Sequence, residues 1–173
     1  MVNDLAVSNN AVKYVDDTTL WEIIPKDTQS CLPSIVSECS DWALDNNMKI
    51  NCQRPRKLRV CFSFQSPSYA PIIIGDRVID TVSEAKLMGV VISSDLKWNS
   101  HVGYVYKKAA KRLYGLRVLK RNALPADVLL SVYCTYIRPI VEYSCESWHF
   151  NLPLYLSDQI ENVQKHSELY FQL

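Results

Sequence analysis

The sequence predicts an α+β fold, strand-rich as far as residue 93 and helical from residue 94 onward. Three observations carry that division. Short apolar, β-prone runs, some in strict period-two alternation, fall within the first 93 residues. Beyond Ser94-Asp95, apolar residues recur with a helical period in successive segments. The chain has 173 residues, of which 48% are hydrophobic and 4 are Gly, so it can bury a core and is neither a disordered tail nor a linker.

Each element follows from local chemistry. Residues 11–24 read AVKYVDDTTLWEII, two β-prone runs around Asp16-Asp17, which predicts a hairpin with the acids at its tip. Pro25 ends its second strand. Over residues 30–47, Leu32, Ile35, Val36, Cys39, Trp42 and Ala43 recur at helical spacing, and Asn46-Asn47 supplies a stop. After the basic turn Arg54-Pro55-Arg56-Lys57, the alternation of Leu58, Val60, Phe62 and Phe64 predicts a strand with one apolar face. Ile72, Ile73 and Ile74 form a short strand, Gly75-Asp76 a turn, and Val78-Ile79 its return. Residues 87–92 read as a further strand, in which Gly89 marks a bulge or the close approach of another backbone.

Residues 98–122 predict one long helix. At about 100° per residue, Val102, Val105, Ala109, Leu113 and Leu116 share a face, and Lys107, Lys108 and Lys111 lie opposite. Pro125 opens a second helix, with Val128, Leu129, Val132, Tyr133 and Tyr136 apolar, interrupted at Pro139. A third helix is expected over residues 157–166. Tyr104 and Tyr114 could stack on bases, but aromatics on an amphipathic helix are more often core.

A formal net charge of +1 hides a strong asymmetry. Residues 1–50 carry 8 acids and 3 bases, residues 51–121 carry 4 acids and 14 bases, and residues 122–173 carry 6 acids and 2 bases. A basic middle between acidic flanks points to a polyanionic partner for part of the surface. The six cysteines are too sparse for a disulfide scaffold, and none forms C-x-x-C. No Asn-x-Ser/Thr sequon, signal-peptide pattern or membrane span is present, so the expected location is intracellular, nuclear or cytoplasmic, and not secreted.

Adjacent residues in mid-strand point to opposite faces, but at a hairpin tip two carboxylates can approach one hard cation. Asp16-Asp17 is therefore either a polar turn or a cation site. The helix from residue 98 offers a second candidate, because seven bases fall between Lys107 and Arg121 with no acid among them. Such a face is either simply solvated or meets phosphates. Cys134, Cys145, His149 and His166 match no structural-zinc spacing and read as buried thiols and ordinary histidines. No G-x-S-x-G elbow supports a hydrolase.

Tyr14-Val15-Asp16-Asp17 resembles the Y-x-D-D motif of reverse transcriptases, in the version found in non-LTR (LINE-class) retrotransposons. The blocks that follow are collinear with that family. Residues 41–51, DWALDNNMKIN, resemble the helix and strand start after the motif, and Lys86-Leu87-Met88-Gly89-Val90 resembles the primer-grip hairpin. Residues 95–102, DLKWNSHV, are similar to the start of the thumb helix. Residues 137–143, IRPIVEY, with Trp148-His149, are similar to the segment after the thumb. The resemblance covers about residues 11–165.

The resemblance implies a partial polymerase palm (β-hairpin, helix and antiparallel strands) over residues 1–93 and a mostly helical thumb over residues 94–173. It implies RNA-directed DNA synthesis with Mg²⁺ or Mn²⁺, deoxynucleoside triphosphates, an RNA template and a DNA primer, and no membrane partner. Asp16 would be a metal ligand and Asp17 its neighbour in the catalytic pair. Tyr14 would support the hairpin near the primer end. Leu87, Met88 and Gly89 would position the primer strand, and Lys107, Lys108, Lys111 and Arg112 would meet duplex phosphates.

The family's further catalytic carboxylate lies on an upstream strand, and Asp4 is the sole acid before Asp16. Arg54 stands where the family has a lysine, and an arginine does not donate a proton at neutral pH. Residues 167–173 depart from the family's continuation. The expected function is thus a fragment of a reverse transcriptase, inactive alone, completed by an N-terminal polymerase half. The alternatives are a non-catalytic RNA–DNA duplex-binding module and a translated retroelement remnant without activity.

Overall fold

The computed structural model describes residues 10–15, 17–63 and 67–171; the predicted positions Asp16 and Phe64 lie outside them. The chain divides into two compact units, Met1–Val82 and Ser83–Leu173. Helix and strand are mixed in it, compatible with the predicted α+β class. Among the described residues no helix is long and apolar enough to cross a membrane.

In the first unit, β1 (Ala11–Tyr14) and β2 (Asp17–Leu20) pair antiparallel from Ala11↔Leu20 to Tyr14↔Asp17. Asp17 is thus the first strand residue rather than part of the tip. Helix α1 (Leu32–Asp45) opens with Pro33 in its first turn, where a missing N–H costs nothing. It buries Ile35, Val36 and Ala43 and packs against β4 (Ile73–Ile74). Strand β4 turns through Gly75, at φ +59°, into β5 (Arg77–Val78), as the Gly-Asp pair predicts.

The alternating run after Lys57 behaves differently from the sequence reading. Only β3 (Lys57–Leu58) finds a partner, β6 (Thr81–Val82), and that pair is parallel where antiparallel strands were expected. Phe62 is 90% exposed. Alternation specifies a face, but a strand exists only where a neighbour accepts its backbone hydrogen bonds.

The second unit begins with β7 (Glu84–Leu87) and β8 (Val90–Ser93), an antiparallel hairpin registered from Glu84↔Ser93 to Leu87↔Val90. The single strand predicted over residues 87–92 is therefore split by a two-residue turn, Met88-Gly89. Asp95 then ties off the exit. Its carboxylate accepts from the Ser93 hydroxyl and from the Lys97 N–H at 3.0 Å, and these bonds hold its pKa below the ordinary carboxylate value, the Ser93 bond most.

Helix α2 (Asn99–Arg121) closely matches the predicted long helix and buries His101, Val102, Val105, Ala109 and Leu116. Next come α3 (Ala126–Val132), a π turn (Tyr133–Ile137), α4 (Arg138–Glu142), α5 (Cys145–Trp148) and α6 (Leu154–Phe171). Pro139 accounts for the π turn. It cannot donate to the carbonyl four residues back, and the wider turn before it accommodates the loss. Helix α6 runs from just past Pro153 to Phe171, longer than predicted at both ends. Its apolar face is Leu156, Ile160 and Val163, and the buried Ser167 continues it. The core lies between α2 and the later helices in two clusters, one around Val102, Val105 and Trp148, the other around Leu116, Leu129 and Ile137.

Candidate nucleic-acid interface

On α2 the polar face is built by spacing. Tyr104, Lys108 and Arg112 succeed one another at i, i+4, i+8, and Lys107 and Lys111 lie beside them on the same side. All four basic side chains are exposed, and none is ion-paired with a carboxylate among the described residues. A run of like charges with no acid to neutralise it creates a positive stripe along the helix.

Aromatic rings punctuate that stripe. Lys86, from β7, donates to the Tyr104 hydroxyl at 2.8 Å, and its Nζ lies 4.6 Å from the ring centroid. Lys108 Nζ lies 6.0 Å from the same ring. The Lys86 hydrogen bond, with the two positive charges, pulls the Tyr104 pKa below its ordinary value. Further along, the Arg112 guanidinium sits 5.0 Å from the centroid of Tyr136 on the π turn. A lysine or arginine over an aromatic face is attracted by the ring, which holds both groups in place.

The β7–β8 hairpin joins the stripe at its N-terminal end. Its tip residues Met88 and Gly89 have φ of 45° and 88°, the left-handed geometry that a two-residue hairpin turn requires. The Tyr143 hydroxyl donates to the Met88 carbonyl at 2.9 Å. A Cβ on Gly89 would meet the Tyr143 ring at 2.9 Å, so only glycine fits. Nearer the base, Ser100 donates to Glu84, and the Val91 N–H donates to His101 Nδ1 at 3.2 Å. That bond leaves the proton on Nε2, which is buried without a partner among the described residues. Trp98 and Trp148 stand edge-on to the His101 ring at 6.0 and 5.0 Å, and burial lowers its pKa, keeping it neutral. A cavity of about 210 Å³ opens here, lined among others by Lys86, Gly89, His101, Tyr104, Lys108 and Tyr143. A second, about 260 Å³, lies between α2 and α6, where Arg117 donates to the Tyr170 hydroxyl at 3.1 Å.

The predicted site residues thus separate. Leu87, Met88 and Gly89 and the four bases Lys107, Lys108, Lys111 and Arg112 belong to the second unit. Tyr14 and Asp17 belong to the first, where both are exposed and paired across the β1–β2 ladder. Asp16 is outside the described residues. Among the described residues no three His, Cys, Asp or Glu side chains converge where they could hold a metal ion.

Sequence reading missed Lys86, Tyr136 and Tyr143 as members of the basic surface, and for Tyr104 it favoured core over stacking on bases. Tyr104 does touch the core, but its hydroxyl reaches Lys86. Its spacing to Lys108 and Arg112 was the available signal. Tyr114, for which core was likewise favoured, is 64% exposed. Cys134, read as a buried thiol, is exposed, and Cys145 is half-buried.

The chain is similar in sequence to known proteins. The chain is 26% identical over 124 residues to the probable RNA-directed DNA polymerase from transposon BS of Drosophila melanogaster, covering 69% of this chain and 13% of that protein. It is 26% identical over 113 residues to the probable RNA-directed DNA polymerase from transposon X-element of the same organism, covering 63% of this chain and 12% of that protein. Residues 98–137 match the family model described as alkylated DNA repair protein alkB homolog 8, N-terminal. No solved structure matches. The chain thus spans about an eighth of the length of the curated relatives it matches, and it is distantly related to transposon RNA-directed DNA polymerases.

Proposed function

We propose that this chain is the C-terminal palm and thumb portion of a non-LTR retrotransposon reverse transcriptase, and that its second unit grips RNA–DNA duplex. Residues 1–93 are the palm part in this reading and residues 94–173 the thumb. One observation carries the proposal: the exposed, acid-free stripe of Lys107, Lys108, Lys111 and Arg112, interleaved with Tyr104 and Tyr136. Each lysine that meets a phosphate releases condensed counterions, and the rings offer stacking faces. The RNA template, DNA primer, deoxynucleoside triphosphates and Mg²⁺ or Mn²⁺ belong to the complete polymerase, whose N-terminal half supplies the rest of the site. Asp16 and Asp17 are the carboxylates this chain would contribute, with Tyr14 supporting their hairpin.

The test is equilibrium binding of a labelled RNA–DNA hybrid across a salt series. The logarithm of affinity should fall linearly with that of salt, with a slope of about 0.9 per phosphate neutralised. K107E/K108E/K111E should weaken binding at least about a hundredfold and flatten the slope, whereas Asp17→Asn should stay within about twofold. Unchanged binding by the triple variant overturns the assignment of this face.

A further inference from the structure

The β7–β8 hairpin is fastened to the helices at several levels. Ser100 and Glu84 tie its base, His101 ties Val91, and Tyr104 ties Lys86. Beyond these the two-residue tip projects from the ladder. Its carbonyl at Met88 is held by Tyr143, a side chain 55 residues away in sequence.

Tyr143 is itself held. It caps the C-terminal end of α4 at ψ 120°, outside the helical region, and the next residue, Ser144, has a left-handed φ of 55°. Its own carbonyl accepts from Trp148 Nε1 at 3.0 Å, and Trp148 is among the most buried side chains of the unit. A continuous line of contacts thus runs from the core indole through the Tyr143 main chain and ring to the exposed tip. The residue is 53% exposed, so its burial adds little to the core. What it does is local: the hydroxyl fixes the height of the Met88 carbonyl, and the ring closes against Gly89.

We propose that Tyr143 is a positioning residue, which locks the Met88-Gly89 tip to the helical bundle so that the tip backbone and the basic face of α2 meet one nucleic-acid strand as a single rigid surface. This rests on the duplex-gripping reading above. A surface that is already ordered loses less conformational entropy on binding. Without the hydroxyl the tip samples other heights, and the strand must restore the bound one at its own expense.

Tyr143→Phe removes the hydroxyl and keeps the ring over Gly89. In the full chain it should weaken hybrid binding about tenfold, the worth of one well-made hydrogen bond. The salt slope should match the wild type, because no phosphate contact is lost, and the urea midpoint should fall by no more than the worth of one exposed hydrogen bond, because little core is lost. Amide exchange should rise at Met88, Gly89 and Val90 and stay unchanged within α2. Wild-type affinity in Tyr143→Phe overturns the positioning role while leaving the gripping reading intact. A drop in the salt slope overturns it as well, since Tyr143 would then govern the cations rather than the tip. Failure of the wild-type chain to bind the hybrid at all overturns both.

Discussion

The two antiparallel hairpins of this chain, β1–β2 and β7–β8, start from nearly the same local design. Each has four-residue strands, and each places two residues between its last paired positions, Tyr14↔Asp17 in one and Leu87↔Val90 in the other. They differ in what holds them. In β1–β2, Val15 adopts φ 56°, a left-handed conformation that a β-branched residue enters with strain, and its side chain is 79% exposed. In β7–β8 the corresponding position is Met88, at φ 45° but unbranched at Cβ, Gly89 follows at φ 88°, and the tip is clamped by Tyr143. The strand burial differs too, since β8 buries Val90 and Ser93 whereas no residue of β1 or β2 is fully buried. A hairpin's register is local, but its rigidity comes from elsewhere in the chain.

That contrast can be broken from the stable side first. Trp148→Ala removes a fully buried indole and the donor to the Tyr143 carbonyl, and should cost about 3–5 kcal/mol by urea unfolding, with fast exchange of the β7–β8 amides. Gly89→Ala forces a Cβ against the Tyr143 ring at φ 88° and should cost about 1–3 kcal/mol by the same measurement.

Acidity probes the same fastening more gently. Burial holds the His101 pKa below its ordinary value of 6.5, so the unfolded chain binds a proton that the folded chain refuses. The contribution of a neutral His101 is therefore complete above pH 6.5 and shrinks as the pH falls below it. Unfolding curves at several pH values should show that decline in the wild type and lose it in His101→Gln. The smallest effect is a gain. Val15→Asn places a residue tolerant of left-handed φ in the first tip and should protect the β1–β2 amides by up to about 1 kcal/mol in hydrogen exchange.

Much of this fold was legible because its signals are local. The apolar face of α2, from Val102 to Leu116, follows from residues three and four apart, and the helix ends fall within a residue of the prediction. The β1–β2 hairpin likewise follows from two β-prone runs around a short polar break. Residues 58–64 were misread because alternation names a face without naming a partner, and only Leu58 of the alternating apolar set lies in a described strand. The extra length of α6 was hidden because Ser167 is buried where a helical pattern expects an apolar residue.

The site divides along the same line. The lysines on α2 are adjacent in sequence and were visible, whereas Lys86 meets Tyr104 across 18 residues and Tyr143 meets Met88 across 55. No local periodicity encodes such pairs. Gly89 was read as a bulge or the close approach of another backbone; it lies instead in the hairpin turn, and what approaches it is the Tyr143 ring, a side chain no local signal names.

The bare stripe on α2 also sets how the free chain responds to dissolved ions. Lys107 with Lys111, and Lys108 with Arg112, are like charges four residues apart, each pair opposing the helix by about 0.2–0.5 kcal/mol. Added salt screens that repulsion, so the unliganded bundle should melt later as ionic strength rises. The same ions compete for phosphate, so duplex binding should weaken over the same range. Stability and grip therefore respond to salt with opposite signs, and a polyanion relieves the repulsion that the helix carries when alone.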